Sequence, residues 1–111
     1  MFSKHSTEGF TGIADGIGIK TLIYGEGTLM SKFQLAGGSK LPNHKHPHEQ
    51  TGYLLKGKMV LHVGGESREL SPGDSWCVPG GVEHRADVIE DSEAIEVFAP
   101  VREDYKKYFR G

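Results

Sequence analysis

Apolar and polar residues alternate along this chain with a period of two, in short stretches separated by glycine- and proline-rich breaks. A period of two puts one face of a strand on a core and the other in solvent. Ile17–Tyr24 and Thr28–Ala36 read this way, with a hairpin signal at Gly25-Glu26-Gly27 between them. In the second stretch Leu29, Ser31, Phe33 and Leu35 share one face, and Met30, Lys32 and Gln34 share the other. Gln50–Leu55 and Lys58–Val63 form another candidate pair around a tight turn at Lys56-Gly57. Gly64-Gly65 leads to a short strand around Ser67–Leu70, and Ser71-Pro72-Gly73-Asp74 is a strong turn signal. Ser75–Val78 and Val82–Ile89 follow, separated by Pro79-Gly80-Gly81; then comes Glu93–Phe98, which Pro100 terminates. Residues 1–12 read as an irregular N-terminal arm and residues 102–109 as a short C-terminal helix or tail. Eight or nine short strands predict an all-β fold, a closed antiparallel barrel or jelly roll, in one domain over residues 1–111.

Composition narrows the picture. A chain of 111 residues fits one domain. Its 16 glycines and 5 prolines favour many turns over long helices. The 13 basic and 15 acidic residues are interspersed, giving a net charge of -2 and no basic stripe for nucleic acid. No run of about 18 apolar residues is present to span a membrane as a helix. The polar stretch Met1–Phe10 lacks the apolar segment of a signal peptide, so a cytoplasmic location is expected by default. The single cysteine, Cys77, excludes an internal disulfide and fits a reducing compartment. Beside Trp76, it reads as a core or pocket-lining thiol.

The histidines carry the candidate chemistry. His44 and His46 are two apart, so on a strand they point to one face. Two imidazoles brought together inside a barrel need a common partner, and a metal ion satisfies both. The bland alternative is a polar loop, consistent with Pro42 and Pro47. His62 and His5 read as ordinary surface histidines.

The surroundings of these residues form two patterns. Gly38, five residues, His44, Lys45, His46, three residues, Gln50, six residues, Gly57 is the first; Gly73, five residues, Pro79, Gly80, Gly81, two residues, His84 is the second. Together they resemble the two signature motifs of the cupin superfamily, in order and at the expected separation. The resemblance implies a double-stranded β-helix, or jelly-roll, barrel. It also implies one divalent metal ion (Ni, Zn, Fe, Co or Mn) held by His44, His46, Gln50 and His84. Two positions depart from the motifs: Gln50 stands where a glutamate is usual, and Val88 where an asparagine is usual. A glutamine ligand brings no charge, so the ion keeps its full charge and polarises a bound group more strongly. Glu49 and His48 are competing donors if the chain bends at Pro47; otherwise His48 belongs at the barrel mouth or behind the ligands.

The run His44–Tyr53 and the tail from Glu96 to Tyr105 are similar to a group of small single-domain cupins. That group includes proteins acting on 4,5-unsaturated monouronates from pectin and alginate, which they help convert to linear keto sugars. The group's Asp-x-Phe-x3-Arg pattern falls on Glu96, Phe98 and Arg102, with the acid one methylene longer. By this resemblance Glu96, Phe98 and Arg102 are catalytic: Glu96 moves a proton, and Arg102 clamps a carboxylate in a bidentate contact. The structural alternative makes Glu96 a solvated strand residue, Phe98 core, and Arg102 a surface partner of Glu103 or Asp104.

The leading expectation is a metal-dependent enzyme opening or ketonising a small anionic sugar. A dioxygenase is a second reading, which the neutral Gln50 disfavours because it would destabilise oxidised iron. A non-enzymatic small-molecule binding or sensing barrel is a third. A homodimer is expected by resemblance.

Overall fold

The computed structural model describes residues 1–111 as eight strands and one short helix: β1 (Thr11–Ala14), β2 (Ile17–Tyr24), β3 (Leu29–Leu35), β4 (Lys40–His44), β5 (Glu49–Val63), β6 (Glu66–Leu70), β7 (Ser75–Val78), β8 (His84–Ala99) and a 3₁₀ helix (Glu103–Tyr108). No helix is long and apolar enough to cross a membrane. All strand pairs are antiparallel.

The two long strands organise the barrel. β5 and β8 pair along nearly their whole length. The end of β5 near Gln50 pairs with β7, and the end near Val63 pairs with β6. Likewise β8 pairs with β3 through Ser92–Phe98 and with β4 through His84–Asp87. Each long strand therefore belongs to both layers of a jelly roll, β1-β2-β3-β8-β5-β7 and β4-β8-β5-β6. The core between the layers gathers Ile17, Ile19, Phe33, Leu35, Leu54, Met59, Leu61, Leu70, Ala86, Val88 and Ala94. On β3 the alternation holds, with Leu29, Ser31, Phe33 and Leu35 buried.

Two expected pairs of short strands are single long ones. The chain does not turn back at Lys56-Gly57; β5 runs through it with a register shift, as β8 does opposite. Gly57 sits at φ 97°, and an added Cβ there would stand 2.1 Å from Ser92 Oγ and 2.4 Å from the Asp91 carbonyl oxygen. A glycine bulge with close backbone approach bends a strand from one layer to the next, and locally it looks the same as a hairpin signal. Val82–Ile89 and Glu93–Phe98 also merge, although β8 holds no glycine: Ser92 lies against the Gly57 bulge, and its hydroxyl oxygen accepts from the Lys58 N–H at 3.1 Å.

β1 and β4 were not visible as periodic stretches. β4 contains Pro42 and is largely exposed, as an edge strand tolerates. Thr11 and Gly12, placed in the arm from sequence, already pair with Ile19 and Gly18. The preceding arm is tied down by Lys20, whose ammonium donates to the carbonyls of Ser6 (3.0 Å) and Glu8 (2.7 Å). At the other end the 3₁₀ helix closes on β2 through the Thr21 hydroxyl, which donates to the Tyr105 carbonyl at 2.6 Å. Cys77 is exposed on β7 and is not core: Trp76 and Val78 take the more buried positions on this short edge strand, and Cys77 lines a surface groove with Trp76 and Leu61.

Candidate metal centre

Strand pairing brings two of the histidines together. His44 ends β4 and lies directly opposite His84, the first residue of β8. Their ring centres are 4.1 Å apart. His46 joins them from beyond the end of β4, 4.9 Å from the His84 ring. The His-x-His convergence is thus made by a strand end and a loop, not by alternation along one strand. Glycine shapes that loop. An added Cβ on Gly80 would stand 2.4 Å from the Pro47 carbonyl oxygen, and the Gly81 N–H donates to the His46 carbonyl at 2.8 Å. The Pro79-Gly80-Gly81 loop therefore packs directly on the loop carrying His46.

All three rings are oriented in the same way. Nδ1 of His44 lies 2.8 Å from the Pro42 carbonyl, Nδ1 of His46 3.0 Å from the His48 carbonyl, and Nδ1 of His84 3.0 Å from the Val82 carbonyl. Only a protonated Nδ1 satisfies these contacts, so each neutral ring keeps its lone pair on Nε2. This backbone buttressing is the usual support of metal-ligating imidazoles. Burial holds His46 and His84 below the ordinary imidazole pKa, which favours the neutral form.

Gln50 stands beside the three rings. It is buried on β5, 6% exposed, while Glu49 points outward. Its side-chain Oε1 is 2.9 Å from His46 Nε2. With the His46 proton on Nδ1, two lone-pair atoms face each other at that distance, an arrangement that a cation between them would stabilise. Ligands at right angles on an ion with bonds of about 2.1 Å stand about 3 Å apart. His84 Nε2 is buried and has no hydrogen-bond partner in the protein, a costly state unless something else binds it. The ligand atoms of His44, His46 and His84 lie within 4.8 Å of one another. These residues fit a divalent ion. His48 contributes its backbone carbonyl, which orients His46, and its ring packs 5.7 Å from the His46 ring.

Glu96 and Phe98 share the inward face of β8, opposite Gly52 and Gln50 of β5. Gly52 has no side chain, and Trp76 of β7 fills the space: an added Cβ would stand 2.1 Å from the indole. Glu96 reaches instead toward Gln50, whose side-chain amide donates to its carboxylate. Glu96 is 8% exposed. Burial pushes its pKa up to about 8, against the opposing pull of the Arg102 charge. Glu96 is therefore no solvated strand residue. Phe98 is core and cavity wall at once, 5.8 Å ring to ring from His46.

Arg102 does pair with Asp104, through Nε at 3.0 Å and Nη2 at 2.7 Å. Yet it is not on the surface: its side chain is 12% exposed, and it lines the same small cavity, of about 60 Å³, as His44, Gln50, His84, Glu96 and Phe98. Tyr105 is a cavity residue that sequence reading passed over. The only signal for it was its place in the shared tail. His62 stands apart on the outer surface of the barrel, half-buried between the Ser67 hydroxyl (2.7 Å) and Asp87 (3.1 Å).

Fold and site together define a cupin, and the cupin-domain family model matches residues 31–99. The chain belongs to the cupin family. It is 30% identical over 95 residues to the pectin degradation protein KdgF of Dickeya dadantii (strain 3937), a match spanning 84% of this chain and 86% of that one. The solved structure of KdgF from Halomonas sp. superposes with a TM-score of 0.88 at 29% identity, covering 94% of this chain and 96% of that one. An RmlC-like cupin from Shewanella frigidimarina NCIMB 400 superposes equally well, at 0.88 and 29%, covering 94% of both chains.

Proposed function

We propose that this protein is a metal-dependent enzyme that opens and ketonises a 4,5-unsaturated monouronate or a closely similar small sugar acid. The observation that carries this reading is the placement of Glu96. A buried carboxyl bonded to the Gln50 amide lines one cavity with His44, His84 and Arg102, and His46 clusters with the two histidines. The similarity to the pectin degradation protein of Dickeya supports the substrate class.

His44, His46, His84 and Gln50 Oε1 would hold one divalent ion, and the ion would supply Lewis acidity toward a sugar oxygen. Arg102 binds the substrate carboxylate and so sets which end of the ring meets Glu96. Phe98 and Tyr105 present apolar faces to the sugar and exclude water. Glu96 accepts the proton of the anomeric hydroxyl as the bond from the anomeric carbon to the ring oxygen breaks. The electron pair moves to the ring oxygen, leaving an aldehyde and an enolate. The same carboxyl then returns the proton to C4, which turns the enolate into a ketone with no net change in atoms. A raised pKa suits a group that must both take and give a proton near neutrality.

The test is to supply metal-loaded protein with unsaturated galacturonate and follow the loss of ultraviolet absorbance of its double bond. Acceleration over buffer that disappears in Glu96→Gln is expected. No acceleration would shift the reading to a sugar-acid binding barrel.

A further inference from the structure

Arg102 meets the cavity already engaged along one edge. Its Nε and Nη2 donate to the two carboxylate oxygens of Asp104 at 3.0 and 2.7 Å. Its guanidinium carbon lies over the Tyr105 ring, 3.8 Å from the ring centre, and 5.0 Å from the centre of Phe98. Asp104 and Tyr105 both belong to the 3₁₀ helix Glu103–Tyr108, which is fastened to β2 by the Thr21–Tyr105 hydrogen bond and the Thr21–Phe109 bridge. The partner of Arg102 is therefore mounted on a fixed element. Asp104 itself is on the outside, 55% exposed, whereas Arg102 is 12% exposed.

A free arginine must give up several rotatable bonds when it binds an anion, and that cost is subtracted from affinity. Here the paired and stacked guanidinium has given up that freedom in advance. The bidentate contact uses the Nε–Nη2 edge, which leaves the Nη1 side of the fork for a carboxylate in the cavity that Arg102 lines.

We propose that Asp104 is a positioning residue: it presets Arg102 as the receptor for one substrate carboxylate, acting only through Arg102. This rests on the reading of Arg102 as the clamp for a uronate.

The experiment is calorimetric titration of the metal-loaded full chain with D-galacturonate, a saturated uronate that is not turned over. Asp104→Ala is expected to weaken binding about tenfold, and Arg102→Ala to weaken it at least as much. Combined, the two substitutions should weaken it no further than Arg102→Ala alone, because residues acting through one contact are not additive. Asp104→Glu keeps the charge and both acceptor oxygens and is expected to recover part of the loss. Should Asp104→Ala fail to fold, Asp104→Asn carries the same comparison. Binding by Asp104→Ala equal to the unsubstituted protein, or losses that multiply in the double variant, would overturn the proposal while leaving the clamp intact. Undiminished binding by Arg102→Ala, or no binding by the unsubstituted protein, would instead overturn the uronate reading on which it rests.

Discussion

The side chain of Gln50 is held from both ends: its amide donates to the Glu96 carboxylate, and its carbonyl oxygen faces His46 Nε2. The hydrogen bond to Glu96 decides which way the carboxamide points. A glutamine is needed for this, because a glutamate at the same place could not donate to a second carboxylate. The one departure from the usual ligand set is thus coupled to the acid proposed to move protons.

Gln50→Glu is expected to break this coupling. A charged ligand should hold a divalent ion about tenfold more tightly or better. Glu96 would lose its donor and face a like charge, and turnover of unsaturated uronate should fall by about tenfold or more. Chelator competition measures the first effect and the absorbance assay the second. Weaker metal binding would be inconsistent with Gln50 as a ligand.

His84→Ala removes the buried Nε2 that has no partner in the protein. Metal affinity is expected to drop by at least about 100-fold, since even the groups supporting metal ligands are worth 10- to 100-fold. Elemental analysis after dialysis checks this. Full metal content in this variant would refute the ligand assignment.

Gly80→Ala tests the loop behind His46. The new Cβ would stand 2.4 Å from the Pro47 carbonyl, so one of the two loops must move, at a cost of about 1–3 kcal/mol. His46 rides on that loop. Metal affinity should therefore fall by about tenfold, although residue 80 touches no ligand side chain. Unchanged affinity with lowered melting temperature would confine the role of Gly80 to stability.

Stability of the metal-free protein should depend on pH through Glu96. Its folded pKa is raised from 4.5 to about 8. The folded state then binds more protons than the unfolded state between those values, so this contribution is present at low pH and lost as pH rises through about 8. His46 and His84 are shifted down from 6.5. Their contribution is present above that value and lost as pH falls below it, so the two effects oppose each other there. Above pH 6.5 the histidine contribution to the slope fades, and the Glu96 effect dominates up to about 8. Urea unfolding in the presence of chelator should show stability falling across this window, and Glu96→Gln should flatten the slope. The same slope in Glu96→Gln would place its origin elsewhere.

Much of the fold was legible because strand alternation and turn chemistry are local. The faces of β3 and the turn at Ser71–Asp74 follow from residue types a few positions apart. The Asp74 N–H donates to the Ser71 carbonyl at 3.0 Å, and Gly73 sits at φ 96°. β4 was not legible, because an exposed edge strand carrying a proline has no apolar face to show. β5 was divided in two because a glycine that bends a strand between layers resembles one that reverses it, and β8 because its polar run Glu90–Ser92 resembles a loop.

The sequence by itself determined which residue types were available at the site: three imidazoles, a glutamine and an acid at motif spacing. Only the tertiary structure decided how they meet. Pairing of His44 with His84 joins positions 40 residues apart in the chain, a distance local patterns do not report. It also decided that Glu96 bonds to the Gln50 amide while Trp76 occupies the space at Gly52, and that Arg102 turns inward while still bonded to Asp104. The reason is physical. Burial and the direction of a side chain depend on what packs beside it, and those neighbours come from strands that the sequence places far away.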